Sequence, residues 1–445
     1  MLPWELSPEI ITVIMCGGVL FTILIGLPIG FSLAALSTVV GLALVGPGVL
    51  EIFRIGIYSL STSHGFLAIP LFIFMGNMVE KTGIAKRMFD TLYILMGNVP
   101  GGLTIAVIII GTILAACVGV IAASIIMLGL IGIPVMLEKK YDKRIISGSI
   151  CASGSLGILI PPSIMIVMWG PTASISVGKL FMGAFVPGLL LSGLYIAYIY
   201  IRCLLEPSLG PAANTAAMNI SLSRKLSMLG VSLVPPLLLI FSVLGSILFG
   251  IASPTEAAGV GALASLLLAA GYRVLSLKAL KDVLLATLRT IGMVMGIAFG
   301  AKMFTSLFLQ LQCGDVISDL FLGIPGGKWV IFLVIMAVFF ILGMFIDWMG
   351  IIFIMVPIIT PLGESLGFNP IWFAIMMMVN LQFSFITPPI AYAIFFLKGI
   401  LKPEWGITTN DIIVGILPYL GLIAIALILC TLFPGIILWL PSRMF

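Results

Sequence analysis

The sequence predicts an all-α polytopic membrane protein. Of its 445 residues, 61% are hydrophobic and only 8% are charged, and the mean hydropathy is +1.32. Soluble domains carry about 25% charged residues, so this composition indicates a chain that lies mostly within a bilayer. The apolar stretches leave room for about 10 to 14 spans or half-spans at roughly 20 residues per span. The 49 glycines and 26 prolines predict helices that pack closely and are often broken.

Charge and cysteine usage exclude several classes of function. The net charge of +5 is spread over the connectors, which fits positive-inside loops better than nucleic-acid binding. The six cysteines stand singly in apolar segments, without the spacing of a metal site or a disulfide framework. The chain has one histidine, no paired intramembrane aspartates and no nucleotide-binding loop. We therefore expect a protein that is not an enzyme, has no cofactor and does not itself use ATP.

The first half of the chain reads as apolar segments separated by short polar connectors. Residues 10–46 form an apolar run that is too long for one span, and Pro28 is placed to begin a second helix within it. Residues 51–64 predict an interfacial helix, and the short apolar segment 66–79 suits half of a re-entrant hairpin. The charge cluster over residues 138–144 holds four basic side chains, which predicts a cytoplasmic loop.

The second half follows residues 206–225, the least apolar segment of the chain, which we predict to be a linker. The motif Ser253-Pro254-Thr255-Glu256 has serine at the N-cap, proline at the first helical position and glutamate at the third, which predicts a helix start with a capping box. Residues 272–290 predict a basic amphipathic helix, and residues 291–311 predict a separate apolar segment that is interrupted by Lys302. We expect the ammonium of Lys302 to snorkel or to balance charge.

One stretch, Gly154–Ser163, cannot be a continuous transmembrane helix. It carries two glycines, two adjacent prolines and two hydroxyls inside a strongly apolar region. Pro162 has no backbone N–H to donate, and Pro161 disfavours helical geometry at Ile160. The freed backbone groups must face protein, water or a bound ion, because lipid offers them no partner. A break of this kind in a membrane protein predicts a binding site.

A second break, Asn380–Pro389, stands in the other half at a matching position. Its Pro-Pro pair is 227 residues after the first pair, and the two Pro-Gly-Gly motifs are 225 residues apart. Pro28 and Pro254, both at predicted helix starts, are 226 residues apart. These offsets predict an internal repeat, with residues 1–205 and 226–445 as its two units joined by the linker. The spacing leaves open whether the repeat is inverted or parallel.

Each break predicts a helix end, a turn with a hydroxyl, and a Pro-Pro pair that starts a new half-helix. The free N–H groups and the positive dipole end of the new half-helix suit an anion such as a carboxylate. The free carbonyls that end the preceding half-helix suit Na⁺. The residues expected to face the substrate are Ser155, Pro162, Ser163, Ser384, Thr387 and Pro389. The residues expected to hold Na⁺ are Gly154, Ser155, Gly157, Asn380 and Thr387.

These motifs in combination closely resemble the large membrane subunit of the tripartite ATP-independent periplasmic (TRAP) transporters. The matching segments span nearly the whole chain: Ile69–Gly76, Gly154–Ser163, Pro254–Ala258 and Thr387–Pro389. The resemblance implies two inverted repeats, each with a re-entrant hairpin and a broken helix. It also implies an elevator mechanism of the kind found in the ion transporter superfamily, in which a transport domain carries its site past a static scaffold.

The resemblance further implies secondary active, Na⁺-coupled uptake of an organic acid across the bacterial inner membrane, where the chain would be a multi-pass protein. A soluble periplasmic binding protein would deliver the substrate, and a separate small membrane subunit of about four helices would brace the scaffold. The main alternative is a stand-alone sodium/dicarboxylate symporter with the same elevator fold. Many relatives have a Ser-Gly-Ser-like turn where this chain has Cys117-Val118-Gly119, and a glycine where it has Ala391. With these departures the pattern resembles the branch of the family that is associated with 2-oxo acids, lactate-like monocarboxylates and related acids.

Overall fold

The computed structural model describes residues 6–212, 221–389 and 391–444, and within these ranges all regular secondary structure is helical. The predicted all-α class is therefore confirmed. The helices of the first half are α1 Pro8–Leu24, α2 Ile29–Leu44, α3 Val49–Ser61, α4 Ala68–Lys81, α5 Ile84–Met96, α6 Gly102–Val118, α7 Ile121–Glu138, α8 Lys143–Ser155, α9 Ile164–Ala173 and α10 Val177–Leu205. The helices of the second half are α11 Leu222–Ser232, α12 Val234–Leu248, α13 Pro254–Gly271, α14 Leu277–Gln310, α15 Cys313–Leu322, α16 Lys328–Gly343, α17 Trp348–Ser365, α18 Pro370–Ile386, α19 Tyr392–Ile400, α20 Thr409–Leu432 and α21 Gly435–Leu438.

The helix lengths divide into full spans and shorter elements. Among the described residues, six helices are long and apolar enough to cross a membrane, and two bent helix pairs would raise the number to eight. One of these pairs joins α3 to α4 with a bend of 53°, and the other joins α11 to α12 with a bend of 46°. Six further apolar helices have 10 to 17 residues, which at 1.5 Å per residue is shorter than the roughly 30 Å hydrocarbon core. Partly crossing helices of this kind need protein around their ends.

The structure confirms the helix starts predicted at Pro28 and Ser253. One predicted boundary between two segments, after residue 290, is wrong. Pro28 separates α1 from α2. At the start of α13, Ser253 N donates to Glu256 Oε2 (2.7 Å) and Glu256 N donates to Ser253 Oγ (3.4 Å), so the capping box forms. The amphipathic segment and the apolar segment predicted after residue 272 form one continuous helix, α14, of 34 residues. No proline interrupts that stretch, and α2, α3 and α4 pack along it.

The predicted linker, residues 206–225, lies partly outside the described residues. Its described beginning is bound to the rest of the protein through backbone hydrogen bonds. Gly101 N donates to Gly210 O (2.8 Å), and Asp142 N donates to Leu209 O (2.9 Å). These bonds attach the segment that follows α10 to the starts of α6 and α8.

The helices pack as two groups, and each group takes helices from both halves of the chain. The first group contains α1–α5 and α11–α15, in which α2 packs along α14 and α4 packs along α13. The second group contains α6–α10 and α16–α20, in which α8 packs along α20 and α16 packs along α18. The two groups meet chiefly where α4 and α5 contact α6, and where α14 contacts α17. Both predicted breaks belong to the second group.

Glycines allow the backbones of the second group to touch. Gly148 of α8 and Gly415 of α20 face each other, with 3.1 Å between the Gly148 nitrogen and the position that a Cβ on Gly415 would occupy. A Cβ on Gly415 would also overlap the carbonyl of Arg144. Because backbone atoms cannot move aside as a flexible side chain can, these helices cross at a distance that only glycine permits.

This crossing predicts a matched pair of alanine variants on α20. Gly415→Ala should destabilise the protein by about 1–3 kcal/mol, because the added methyl group forces α8 and α20 apart. Gly421→Ala, on the same helix, has no atom within 4 Å of the new Cβ and should be neutral or slightly stabilising. Thermal unfolding of the detergent-solubilised protein measures the difference, and equal midpoints for the two variants would contradict the close crossing.

Candidate functional site

A tight helical hairpin lies against the first break. Only two residues, Gly119 and Val120, connect α6 to α7, and Gly119 has a left-handed backbone with φ of +65°. A Cβ on Gly119 would lie 3.6 Å from the carbonyl oxygen of Pro162. From the other side, a Cβ on Gly157 would lie 3.7 Å from the backbone of Val120. The tip of this hairpin therefore contacts the interrupted helix at its break.

The first break is fully enclosed by protein. After α8 ends, a short 3-10 turn over Leu156–Ile158 leads to the prolines, and α9 begins only at Ile164. The Ser155 hydroxyl donates to Ala152 O (2.8 Å), and the Ser163 hydroxyl donates to Ile158 O. All residues from 154 to 163 are buried. One carbonyl near the end of α8 and one in the 3-10 turn thus find hydroxyl partners within the break itself.

One expectation for the first break needs correction. The Pro-Pro pair, whose peptide bond is cis, precedes α9 and does not form its first turn, because Ser163 is the N-cap residue. In addition, a Cβ on Gly154 would overlap the side chain of Ile125 in α7. Gly154 therefore provides close packing between α8 and α7 in this conformation, while Gly157 faces the hairpin tip.

A second hairpin, formed by α16 and α17, is bound to the second broken helix. Asn380 Nδ2 donates to Met336 O (2.8 Å), and Ser384 Oγ donates to Phe340 O (3.1 Å). The two donors are four residues apart on α18, and so are the two acceptors on α16, as expected for two helices in register. Both predicted site residues thus attach α18 to the hairpin. At the hairpin's turn, Asp347 caps α17 by accepting from Met349 N (3.3 Å).

The second break differs from the first in exposure and in backbone strain. The Thr387 hydroxyl donates to Phe383 O (2.6 Å), and the cis-bonded Pro388 and Pro389 that follow are exposed. Ala391, just before α19, has a left-handed backbone with φ of +43°. Glycine adopts this conformation without the steric penalty that alanine incurs. Here too the new half-helix starts after the Pro-Pro pair, at Tyr392, which corrects the predicted helix start.

Gln382 is a candidate site residue that the sequence analysis did not select. Its side chain is fully buried, and neither its Oε1 nor its Nε2 has a hydrogen-bond partner among the described residues. It lies two residues from both Asn380 and Ser384, hence about 200° around the helix and away from the hairpin. Ile375 lies on the same face of α18 as Gln382 and contacts Gly183 of α10. The sequence feature that indicates this residue is a glutamine within an otherwise apolar, interrupted helix.

The two breaks share one core. The half-helix α9, which follows the first break, packs against α17, and the half-helix α19, which follows the second, packs against α7. Cys151 Sγ of α8 lies 3.6 Å from Ala393 O of α19. Each half-helix therefore lies on the hairpin that comes from the other half of the chain.

Comparison with known proteins decides the family. The family described as "Tripartite ATP-independent periplasmic transporter, DctM component" matches residues 16–436. The chain belongs to this family. The match covers both breaks and both hairpins, so the TRAP resemblance stated from the motifs is confirmed.

Two relatives and one solved structure bear out the match. The C4-dicarboxylate TRAP transporter large permease protein DctM of Pseudomonas aeruginosa is 32% identical over 409 residues, covering 92% of this chain and 93% of the relative. The isethionate TRAP transporter permease protein DctMQ of Oleidesulfovibrio alaskensis is 30% identical, covering 93% of this chain and 64% of that longer protein. The YdaH transporter of Alcanivorax borkumensis is similar in fold, with a TM-score of 0.56 at 17% identity over 97% of this chain and 98% of that chain.

Family membership settles the broad class of the protein. The chain is a large permease of the TRAP type and a multi-pass protein of the inner membrane. It is a transporter subunit and not an enzyme. The relatives carry different substrates in their names, so the family alone does not specify a substrate.

The unpartnered amide of Gln382 predicts an unusual stability effect. Gln382→Met keeps the volume but removes two buried polar atoms without partners, so it should stabilise the protein by about 1–3 kcal/mol in a Na⁺-free choline buffer. Gln310→Met, at an exposed position at the end of α14, is the control and should change little. Thermal unfolding of both variants measures the effect. A large loss of stability for Gln382→Met would mean that the amide is hydrogen-bonded in the folded protein.

Proposed function

We propose that this chain is the permease through which an organic acid enters the cell, driven by an inward Na⁺ gradient. The observation that carries the proposal is the pair of interrupted helices in one helix group, each in contact with a hairpin. Interrupted helices place free carbonyls and free N–H groups inside the membrane, where a cation and an anion can replace the missing partners. The fully buried, unpartnered amide of Gln382 on the second broken helix supports a polar occupant in this region.

The proposed Na⁺ ligands are the groups that end α8 and α18. The hydroxyls of Ser155 and Thr387 each donate their one hydrogen to a backbone carbonyl, which leaves their lone pairs for a cation. Gly157 lies two residues after Ser155, Asn380 lies seven residues or about two helical turns before Thr387, and Gly154 allows α7 to approach. Oxygen ligands of this kind suit a hard cation such as Na⁺.

The proposed substrate contacts are the helix starts that follow the breaks. The free N–H groups at the start of α9, next to Pro162 and Ser163, favour a carboxylate. At the second break the corresponding proposed contacts are Ser384 and Thr387 at the end of α18 and the exposed Pro389. An organic acid bound between the two would neutralise the charge of the Na⁺ ions that travel with it.

We further propose that residues 1–205 and 226–445 are inverted repeats. Adding 226 to the bounds of α2 gives 255–270, against 254–271 for α13, and adding it to α6 gives 328–344, against 328–343 for α16. The packing is reciprocal as well, because α2 lies on α14 while α13 lies on α4, and α9 lies on α17 while α19 lies on α7. This exchange of partners supports a two-fold relation between the halves.

An elevator movement of the second helix group fits this arrangement. Both breaks and both hairpins belong to that group, so it can carry ions and substrate as one unit. One hydrogen bond across the boundary runs from Thr305 Oγ1 of α14 to Phe353 O of α17 (2.8 Å). The first group, with the 34-residue α14, would then be the static scaffold.

The names of the family and of its members support two partner proteins. The family is named as one component of a tripartite periplasmic transporter, and the longer DctMQ relative extends well beyond the length that this chain matches. We propose a separate small membrane subunit of about four helices and a soluble periplasmic binding protein that delivers the substrate. Family membership favours this assembly over a stand-alone sodium/dicarboxylate symporter.

Reconstitution tests the proposed function. With the small subunit and the binding protein present, proteoliposomes should accumulate a radiolabelled organic acid only under an inward Na⁺ gradient. Collapse of that gradient should stop accumulation, and a K⁺ gradient should not replace it. Uptake that ignores Na⁺, or that proceeds equally well without the binding protein, would contradict the coupled tripartite assembly.

A further inference from the structure

A cavity of about 300 Å³ with both polar and apolar walls lies at the boundary between the two helix groups. Its walls come from α3 and α14 of the first group and from α9 and α17 of the second. The polar residues that line it are Ser59, Ser63, Thr172, Lys302 and Thr305. None of the residues predicted from the breaks lines this cavity. The cavity is therefore separate from the sites predicted at the breaks. At a rise of 1.5 Å per residue, it lies about 12 Å from the first break along α9.

Lys302 is the charged residue among the described residues that line the cavity. It takes part in no ion pair in the described part of the chain, since the six pairs found there all involve other residues. Its aliphatic stem lies against α3 at Gly56, where a Cβ would be 3.3 Å from Lys302 Cγ. Glycine at this position leaves room for the stem. A lysine within an apolar helix is costly, so one that lines a partly polar cavity indicates a functional role.

Four hydroxyls line the cavity, and two of them have no hydrogen bond among the described residues. The Thr172 hydroxyl donates to Met168 O (2.8 Å) and the Thr305 hydroxyl donates to Phe353 O (2.8 Å), so their hydrogens are already used. Ser59 and Ser63, four residues apart, have no side-chain hydrogen bond among the described residues. One ammonium and two free hydroxyls form a set of donors that suits a single carboxylate or sulfonate group.

The remainder of the cavity is apolar. Phe66 and Phe353 stack with their ring centroids 6.1 Å apart and an angle of 14° between the planes, and both line the cavity. Leu309 and Pro357 add further apolar surface. A second carboxylate placed against these groups would gain no cation in exchange for the hydration that it gives up. The volume is at the low end of the range of small-molecule sites, roughly 300–1,000 Å³.

We propose that Lys302 binds the transported anion in this cavity and that the substrate is a small acid with one negative charge and an apolar end. This inference rests on the proposed function as an organic-acid permease and specifies its substrate class. The cavity is the position at which the anion is held at the boundary between the groups before it reaches the breaks. A short monocarboxylate fits this site, and a C4-dicarboxylate does not.

Binding to the purified complex with the small subunit tests the proposal without relying on transport. 2-Oxoisovalerate, with one carboxylate and an apolar end, should raise the midpoint of thermal unfolding, and succinate at the same concentration should not. Lys302→Met should abolish the shift, Lys302→Arg should retain it, and Lys278→Met, at an exposed position on the same helix, should leave it unchanged. A shift with succinate as large as that with 2-oxoisovalerate, no shift with either acid, or a normal shift in Lys302→Met would overturn the proposal.

Uptake by the same variants separates this proposal from the proposed function. In proteoliposomes with both partners, Lys302→Met should lower Na⁺-dependent uptake at least tenfold, while Lys302→Arg and Lys278→Met stay near the wild-type rate. Wild-type uptake with an unaffected Lys302→Met variant would reject the role of Lys302 and keep the permease. A wild-type complex that accumulates no acid under a Na⁺ gradient would instead reject the proposed function.

Discussion

Inside a bilayer every backbone N–H and C=O group needs a partner within the protein, and this constraint governs each place where a helix of this chain stops. At the first break the hydroxyl of Ser155 binds the carbonyl of Ala152 in α8, and the hydroxyl of Ser163 binds the carbonyl of Ile158 within the break. At the second break Thr387 binds Phe383 O, while Ser384 binds Phe340 O of the neighbouring hairpin. A carbonyl or hydroxyl oxygen that forms one hydrogen bond retains a lone pair. The atoms that stabilise the breaks are therefore the same atoms that can bind a cation.

Close backbone contact keeps these breaks in one body. Glycines at the crossing of α8 and α20 bring those helices together, and each half-helix lies on the hairpin of the opposite half. Internal contacts of this kind are what the proposed elevator movement of this group requires. The boundary with the other group contains the cavity around Lys302. We propose that this cavity and the breaks serve successive steps, with the anion held first in the cavity and then beside the coupling ions at the breaks.

Features that depend on neighbouring residues could be predicted from the sequence. Pro28 divides two helices, Ser253 and Glu256 form their capping box, and the Pro-Pro pairs interrupt their helices. Features that depend on distant elements could not be predicted. The contact of Gly56 with Lys302 joins α3 to α14. That Gln382 has no partner among the described residues depends on every helix around α18. The prediction that α9 starts at the Pro-Pro pair is wrong, because Ser163 is the N-cap residue and both prolines lie outside the helix.

The central claim is that Na⁺ binds at the paired breaks, and the most direct test is the effect of Na⁺ on thermal stability. A ligand that binds only the folded protein raises the unfolding midpoint, so NaCl should stabilise the purified protein more than KCl or choline chloride at equal ionic strength. Thr387→Val should weaken this Na⁺ effect by about 10–100-fold in apparent affinity, through loss of one ligand oxygen. Thr431→Val removes a hydroxyl with the same bond to the carbonyl four residues earlier and should leave the Na⁺ effect intact. Equal stabilisation by Na⁺ and K⁺, or an unchanged Na⁺ effect in Thr387→Val, would contradict the claim.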